Sequence, residues 1–208
     1  MKIKISLVIA FLMGVLLWSC GGNAVIQRNF IIDYDNSTNQ ENSVSLDCSG
    51  LQYNVRINRF EISRAYNQER IALRTKSNEV IYYYYNKWAE NPVSAVRHFI
   101  LEKFKINNIF AGINLNEIET MPDFVINGVI SQIERIDIEN THAAHVKMIL
   151  EFTEANSGKI LVLHEFDRSA EIKKNASMNT FAREISRILD EECNVFINRI
   201  CSKLNENK

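Results

Sequence analysis

The chain has 208 residues, with 24 basic and 25 acidic side chains and 46% apolar residues, enough for one domain with a real core. So even a charge balance lacks the basic stripe that nucleic acid requires and the polybasic patch of an electrostatic membrane binder. Charges of both signs are interspersed along the chain, as on a solvated surface.

Lys2 and Lys4 precede an apolar stretch, Ile5 to Leu17, interrupted only by Ser6 and Gly14. That is the length of a signal-peptide core, and it falls short of the roughly 20 apolar residues of a membrane span. Leu17-Trp18-Ser19-Cys20-Gly21 follows. It has the form of a bacterial lipobox: an aliphatic residue three before the cysteine, a small one just before it, and glycine after. The chemistry needs the thiol, because the diacylglyceryl group is carried on sulfur. An ordinary signal-peptidase site wants small residues at both minus three and minus one, and Leu17 breaks that rule. The reading is a lipoprotein signal over residues 1–19, lipid attachment at Cys20, a tether over 20–28, and one domain over 29–208. Cleavage removes two lysines and no acid, leaving 22 basic against 25 acidic side chains, a formal charge of -3.

Asn29 to Tyr34 reads as a first strand, and Asp35 to Asp47, almost without apolar residues, as a solvent loop. Leu51 to Phe60 alternates apolar and polar throughout, the pattern of a half-buried strand. Ile71–Arg74 and Glu79–Tyr85 form a hairpin around Lys76-Ser77-Asn78. Pro92 suits the first turn of a helix, and Val93, Val96, Phe99, Ile100 and Phe104 follow at helical spacing to about Lys105. Asp123 to Glu139 is a long strand with Val125, Val129, Ile133 and Ile136 inward and a bulge at Asn127-Gly128. His142–Thr153 and Lys159–Lys173 are two more strands, joined through Gly158. Met178 to Leu204 is a helix with one apolar stripe, Phe181, Ile185, Ile188, Leu189, Phe196, Ile200 and Leu204, capped by Ser177 or Asn179. Strands, helix, strands, helix predicts an α+β fold, a single domain of antiparallel sheet segments each followed by a packed helix.

Cys48, Cys193 and Cys201 remain once Cys20 carries lipid. Cys193 and Cys201 lie eight apart on one helix, about 12 Å of rise, beyond disulfide reach. Cys48 could pair with either; the preferred reading is three buried thiols acting as small hydrophobes.

No constellation points to catalysis. A Gly-rich phosphate loop, a G-x-S-x-G elbow and a Cys-x-x-Cys pair are all missing from the sequence. His142 and His145, three apart on a strand, fall on opposite faces, which argues against a metal site. Glu134, Asp137 and Glu139 read as exposed teeth of an amphipathic strand, and Asp190-Glu191-Glu192 as a solvated helix face. No cofactor or metal is expected, and the chain reads as a non-enzyme. A deep pocket lined by His164 and carboxylates would reverse that reading.

Tyr82-Tyr83-Tyr84-Tyr85-Asn86-Lys87-Trp88 stands out. Four consecutive tyrosines in a strand put two on each face, and a pair not packed on the core marks a contact surface. Tyr82, Tyr84 and Trp88 are the candidate partner contacts. From this segment outward the chain resembles the ABC-type transport auxiliary lipoproteins, the family of paraquat-inducible protein C. The residues that carry the resemblance are Tyr66 in a link between strands, Arg74-Thr75-Lys76-Ser77-Asn78-Glu79-Val80 with the tyrosines after it, and Trp88-Ala89-Glu90-Asn91-Pro92 leading into a helix. It spans about Phe30 to Leu204. The resemblance implies an outer-membrane lipoprotein facing the periplasm, an auxiliary or docking subunit of a trans-envelope lipid transport system. Its implied partners are a mammalian-cell-entry-type periplasmic protein with an inner-membrane permease and ATPase, together with a homo-oligomeric ring. The alternatives are a lipopolysaccharide-assembly or secretion-associated lipoprotein and, further off, a periplasmic enzyme.

Overall fold

The computed structural model describes residues 26–33, 50–115 and 121–206. The signal segment, Cys20 and most of its tether, the loop from Asp35 to Asp47, and Cys48 lie outside the described residues. Among the described residues are nine strands and two long helices: β1 (Arg28–Phe30), β2 (Leu51–Ile57), β3 (Glu61–Ile62), β4 (Arg70–Lys76), β5 (Glu79–Trp88), α1 (Pro92–Ile106), β6 (Phe110–Asn114), β7 (Phe124–Ile138), β8 (Thr141–Glu154), β9 (Ile160–Glu171) and α2 (Met178–Glu206). No helix among them is long and apolar enough to cross a membrane.

The α+β order expected from the sequence is the order found. The hairpins β4–β5, β7–β8 and β8–β9 are antiparallel, as alternation and turn residues predict. Gly158 closes β8–β9 at φ +70°, a conformation that favours glycine. What local patterns do not reveal is how the hairpins join. One edge of β7 takes three strands in succession, all parallel to it: β2 along 124–126, β3 along 129–130 and β4 along 134–136. The other edge is filled by β8. A single mixed sheet results, with β6 beside β2 and β1 beside the far end of β5. The five-residue strand β6 was not expected from sequence.

The helices cover one face. Phe181, Ile185, Ile188, Leu189, Phe196, Ile200 and Leu204, the whole predicted stripe of α2, are buried. They meet Ile126, Ile130, Ile133, Val146, Met148, Leu150 and Phe152 from the sheet in one core. A run of stacked rings crosses that core: Phe104 on Phe110 at 5.7 Å, Phe110 on Phe152 at 6.0 Å, Phe152 on Phe124 at 4.7 Å. Such offset ring pairs add to plain area burial. Ser177 caps α2, its Oγ accepting from the Thr180 amide at 3.1 Å.

Two sequence expectations for β7 are corrected. Val125 is only half-buried and Val129 is 37% exposed, while Phe124, Ile126 and Ile130 face the helices. The bulge lies at Ser131, between the pairs Ile130–Met148 and Gln132–Lys147, not at Asn127-Gly128. One extra residue shifts the period-2 count, so Ile133 points inward although Val129 does not. Gly128 serves close approach instead: a Cβ there would lie 2.8 Å from the ring of Phe60. The reading of three thiols is corrected too. Cys201 is disulfide-bonded, and its partner lies outside the described residues, because Cys193 is a free, buried thiol. Burial pushes the Cys193 thiol up to about 12.

Candidate functional site

Strict alternation would place Tyr82 and Tyr84 on one face of β5. The register forbids it. Ala72 pairs with Tyr82, but Arg70 pairs with Lys87, so two steps along β4 correspond to five along β5. The surplus is taken up as a bulge through Tyr83 to Asn86. Tyr82 and Tyr83 pack partly against the core, whereas Tyr84 is 75% and Tyr85 43% exposed. The two exposed rings meet edge to face at 4.8 Å.

The three candidate contacts therefore have different fates. Tyr84 stands free in solvent. Tyr82 is engaged within the chain: its hydroxyl donates to the Ala65 carbonyl at 2.9 Å and the Arg70 guanidinium lies 5.2 Å over its ring. Trp88 is corrected outright. It is 2% exposed, 5.7 Å from the ring of Phe181, and so is a core residue rather than a partner contact. Just beyond it, Asn91 Oδ1 accepts from the Val93 amide at 3.0 Å and caps α1, with Pro92 in the first turn. The Trp88-to-Pro92 motif is thus a structural corner that turns β5 into α1.

A polar cluster lies on the sheet face away from the helices. The link Ser63–Glu69 folds back through a turn, Tyr66 N–H to Ser63 O at 2.8 Å, and lowers Tyr66 onto β7. There Glu134, expected to be an exposed tooth, is fully buried. Its Oε2 accepts from the Tyr66 hydroxyl at 2.7 Å and its Oε1 from Arg74 Nε at 2.7 Å, with His145 Nδ1 at 3.3 Å. Arg74 Nη2 also donates to the Tyr66 oxygen at 2.9 Å. His145 Nε2 lies 2.8 Å from Asp167, which also pairs with Lys147 at 3.0 Å. Burial alone would raise the Glu134 carboxyl, but hydrogen bonds from His145, Arg74 and Tyr66 outweigh it and hold the group below the usual range. Burial would likewise depress His145, yet its bonds to Glu134 and Asp167 hold the imidazole above its ordinary value. Both ring nitrogens of His145 face carboxylates, which favours the doubly protonated form. Both oxygens of Glu134 are taken by donors, so the cluster clamps the Ser63–Glu69 link to the sheet. Sequence reasoning missed it because its members come from separated segments. Tyr66 and Arg74, singled out by the family resemblance, were the available signal.

Three other titratable groups, His164, Lys103 and Glu192, are also internal. His164, 2% exposed, points Nε2 at Glu192 Oε2 at 2.9 Å and stacks 6.1 Å from the ring of Phe196; its Nδ1 is buried without a partner. Burial, more than the nearby Glu192 charge can offset, lowers its pKa. It sits in the helix–sheet interface, not in a carboxylate-lined pocket. Asp190 pairs with the buried Lys103 at 2.5 Å, tying α1 to α2, and Glu192 is also buried. The expected solvated face at Asp190-Glu191-Glu192 is therefore corrected for Asp190 and Glu192, which pair with Lys103 of α1 and His164 of β9, while Glu191, 41% exposed along its side chain, stays at the surface with Arg187. His142 and His145 go to separate partners, Asp137 at 3.0 Å and the Glu134 cluster. Among the described residues no group of three His, Cys, Asp or Glu is arranged to hold a metal ion.

No family model matches the chain, and no curated protein matches it either. Solved structures do. A Xanthomonas campestris protein of the DUF330 family superimposes with a TM-score of 0.66 at 12% identity, over 78% of this chain and 92% of that one. A structure of an uncharacterised protein superimposes with a TM-score of 0.57 at 9% identity, over 74% of this chain and 99% of that one. At such identities the likeness is one of fold: this chain shares the architecture of the Xanthomonas protein over nearly the whole of that protein's length.

Proposed function

We propose that the mature chain is a lipid-anchored, non-catalytic auxiliary subunit of an ABC-type trans-envelope lipid transport system, held by Cys20 at the periplasmic face of the outer membrane. The observation that carries this reading is the placement of the resemblance-bearing residues. Tyr66 and Arg74 converge on buried Glu134, Trp88 is a core anchor, and Asn91-Pro92 starts α1. Residues scattered along the sequence motif are thus joined as joints of one fold, which is what a shared architecture would require of them. The buried carboxylates and histidines are consumed in holding elements together, which suits a subunit that binds and positions.

The experiment is a pull-down of the tagged chain from detergent-solubilised envelopes, with mass analysis of its mature N-terminus. Acyl chains on Cys20 and co-purification of a permease, an ATPase and a mammalian-cell-entry-type protein are the expected results. Recovery of lipopolysaccharide-assembly or secretion components instead would replace the transport reading. An unmodified Cys20 would remove the anchor.

A further inference from the structure

We infer that the bulge of β5, with Tyr84 and Tyr85 at its tip, is a membrane-contact site that rests on the headgroup layer of an anionic bilayer beside the lipid anchor. The inference builds on the proposed lipidation of Cys20 and adds a surface to it.

The geometry follows from where the chain enters the fold. β1 is the first strand among the described residues and runs parallel to β5, Arg28 opposite Asn86 and Phe30 opposite Trp88. Asn86 directly follows Tyr85. The chain therefore arrives from Cys20 at the very stretch of β5 that bulges. Arg28 is eight residue steps from Cys20, at most about 29 Å when extended. An acylated Cys20 therefore lies within about 29 Å of Arg28, which pairs with Asn86 next to the exposed tyrosines. Ile26, two residues before β1, is itself 75% exposed on this approach.

The chemistry of the corner fits a headgroup layer. Tyrosine, with an apolar ring and a polar tip, favours the membrane interface, where one end is dry and the other wet. Cations follow the pair in the ladder, Arg28 opposite Asn86 and Arg70 opposite Lys87. Arg70 and Lys87 are direct cross-strand partners, a like-charge juxtaposition that is destabilising in isolation. Arg70 bonds Gln68 and lies over Tyr82, and neither Arg70, Lys87 nor Arg28 forms a salt bridge to a carboxylate among the described residues. Glu69 adjoins them in sequence, but anionic lipid phosphates would supply the counter-charge at the right end of the molecule. The two acyl chains of the diacylglyceryl group would fix the protein at the surface; this corner would set its orientation.

The test uses the full lipidated protein in vesicles of phosphatidylethanolamine and phosphatidylglycerol carrying a nitroxide headgroup lipid. A fluorophore is placed at Tyr84→Cys and, as a distant reference, at Leu163→Cys on β9, which is 54% exposed. Cys193 is buried and Cys201 is disulfide-bonded, so neither competes for label. Headgroup-level contact should quench about half or more of the emission at position 84 and only about a tenth at position 163. Equal quenching at the two positions overturns the inference. In intact cells, a photo-cross-linker at position 84 should yield no discrete protein adduct; such an adduct would assign the tyrosines to a protein partner and overturn it too. If Cys20 carries acyl chains and position 84 stays unquenched, the inference fails while the anchor stands. If Cys20 carries none, the anchoring reading is the one that fails.

Discussion

Glu134→Gln should destabilise the fold substantially although it changes one heavy atom. Glu134 is fully buried and receives Tyr66 on one oxygen and Arg74 with His145 on the other. An amide keeps one acceptor and turns the other site into a donor. Its NH2 can face Tyr66, whose hydroxyl accepts as well as donates. The charge is what disappears: Arg74 loses its counter-ion and His145 keeps only Asp167. Breaking a buried ion pair by removing one partner costs about 3–5 kcal/mol. Arg74 is 18% exposed along its side chain and can recover some hydration, which places the loss near the low end, about 3 kcal/mol. For a chain of this size each kcal/mol moves Tm by about 2–4 °C, so the melting point should fall by about 6–12 °C. Circular dichroism melts give Tm, and urea unfolding should show a lower midpoint at unchanged slope. The locality of the effect is a second readout. Amide exchange should accelerate most in the link Ser63–Glu69, which Tyr66 pins to the sheet. A loss below about 1 kcal/mol, the range of an exposed ion pair, would refute the idea that this cluster clamps the link.

Two further outcomes follow from named contacts. Gly128→Ala puts a methyl 2.8 Å from the Phe60 ring, which is 3% exposed and has no room to withdraw, so overpacking should cost about 1–3 kcal/mol and Phe60→Leu in the same chain should recover part of it; an unchanged melting point would show that Gly128 is not there for Phe60. His145 is held above 6.5, so its stabilisation is fully present below that pH and is lost as pH rises through the folded value, whereas Glu134, held below 4.5, contributes above that pH and loses its share on acidification. His164 is shifted the other way and acts below 6.5, so it does not obscure the alkaline limb. Thermal stability scanned from pH 6 to pH 9 should therefore decline in the wild type and stay flatter in His145→Gln; parallel curves would sink the assignment.

Much of the fold was legible in the sequence, and the failures have common causes. Turn residues and period-2 runs located β4, β5, β8 and β9, and the stripe from Phe181 to Leu204 was read correctly because helix periodicity tolerates local irregularity. The parity of β7 was misread because a bulge at Ser131 offsets everything before it from everything after. β6 escaped notice because five residues containing Gly112 carry too little pattern. The clamp on Glu134 was invisible for a different reason. A glutamate on a strand reads as solvent-facing until its partners are known, and those partners lie 60 and 68 residues earlier in the chain. Trp88 failed as a surface residue on the same ground, since Phe181 of α2, almost a hundred residues later, packs beside it.

The bulge in β5 remains the feature least explained by stability. A straight strand would have packed two of the four tyrosines on each face, with the inward pair in the core. Instead, surplus residues are inserted opposite a short stretch of β4, and two adjacent rings are turned into water. The number of rings packed on the core is the same as in a straight strand, Tyr82 and Tyr83 here, but the bulge sets the two outward rings side by side, where strict alternation would separate them by an inward residue. Bulges concentrate at sheet edges and beside functional sites, where they re-aim side chains. The edge in question is also where the chain enters the fold and where Arg70 and Lys87 oppose one another without a carboxylate between them. A surface that is apolar and anionic at once would answer both features. A lipid interface has that composition, and the anchor expected at Cys20 would bring this corner within its reach.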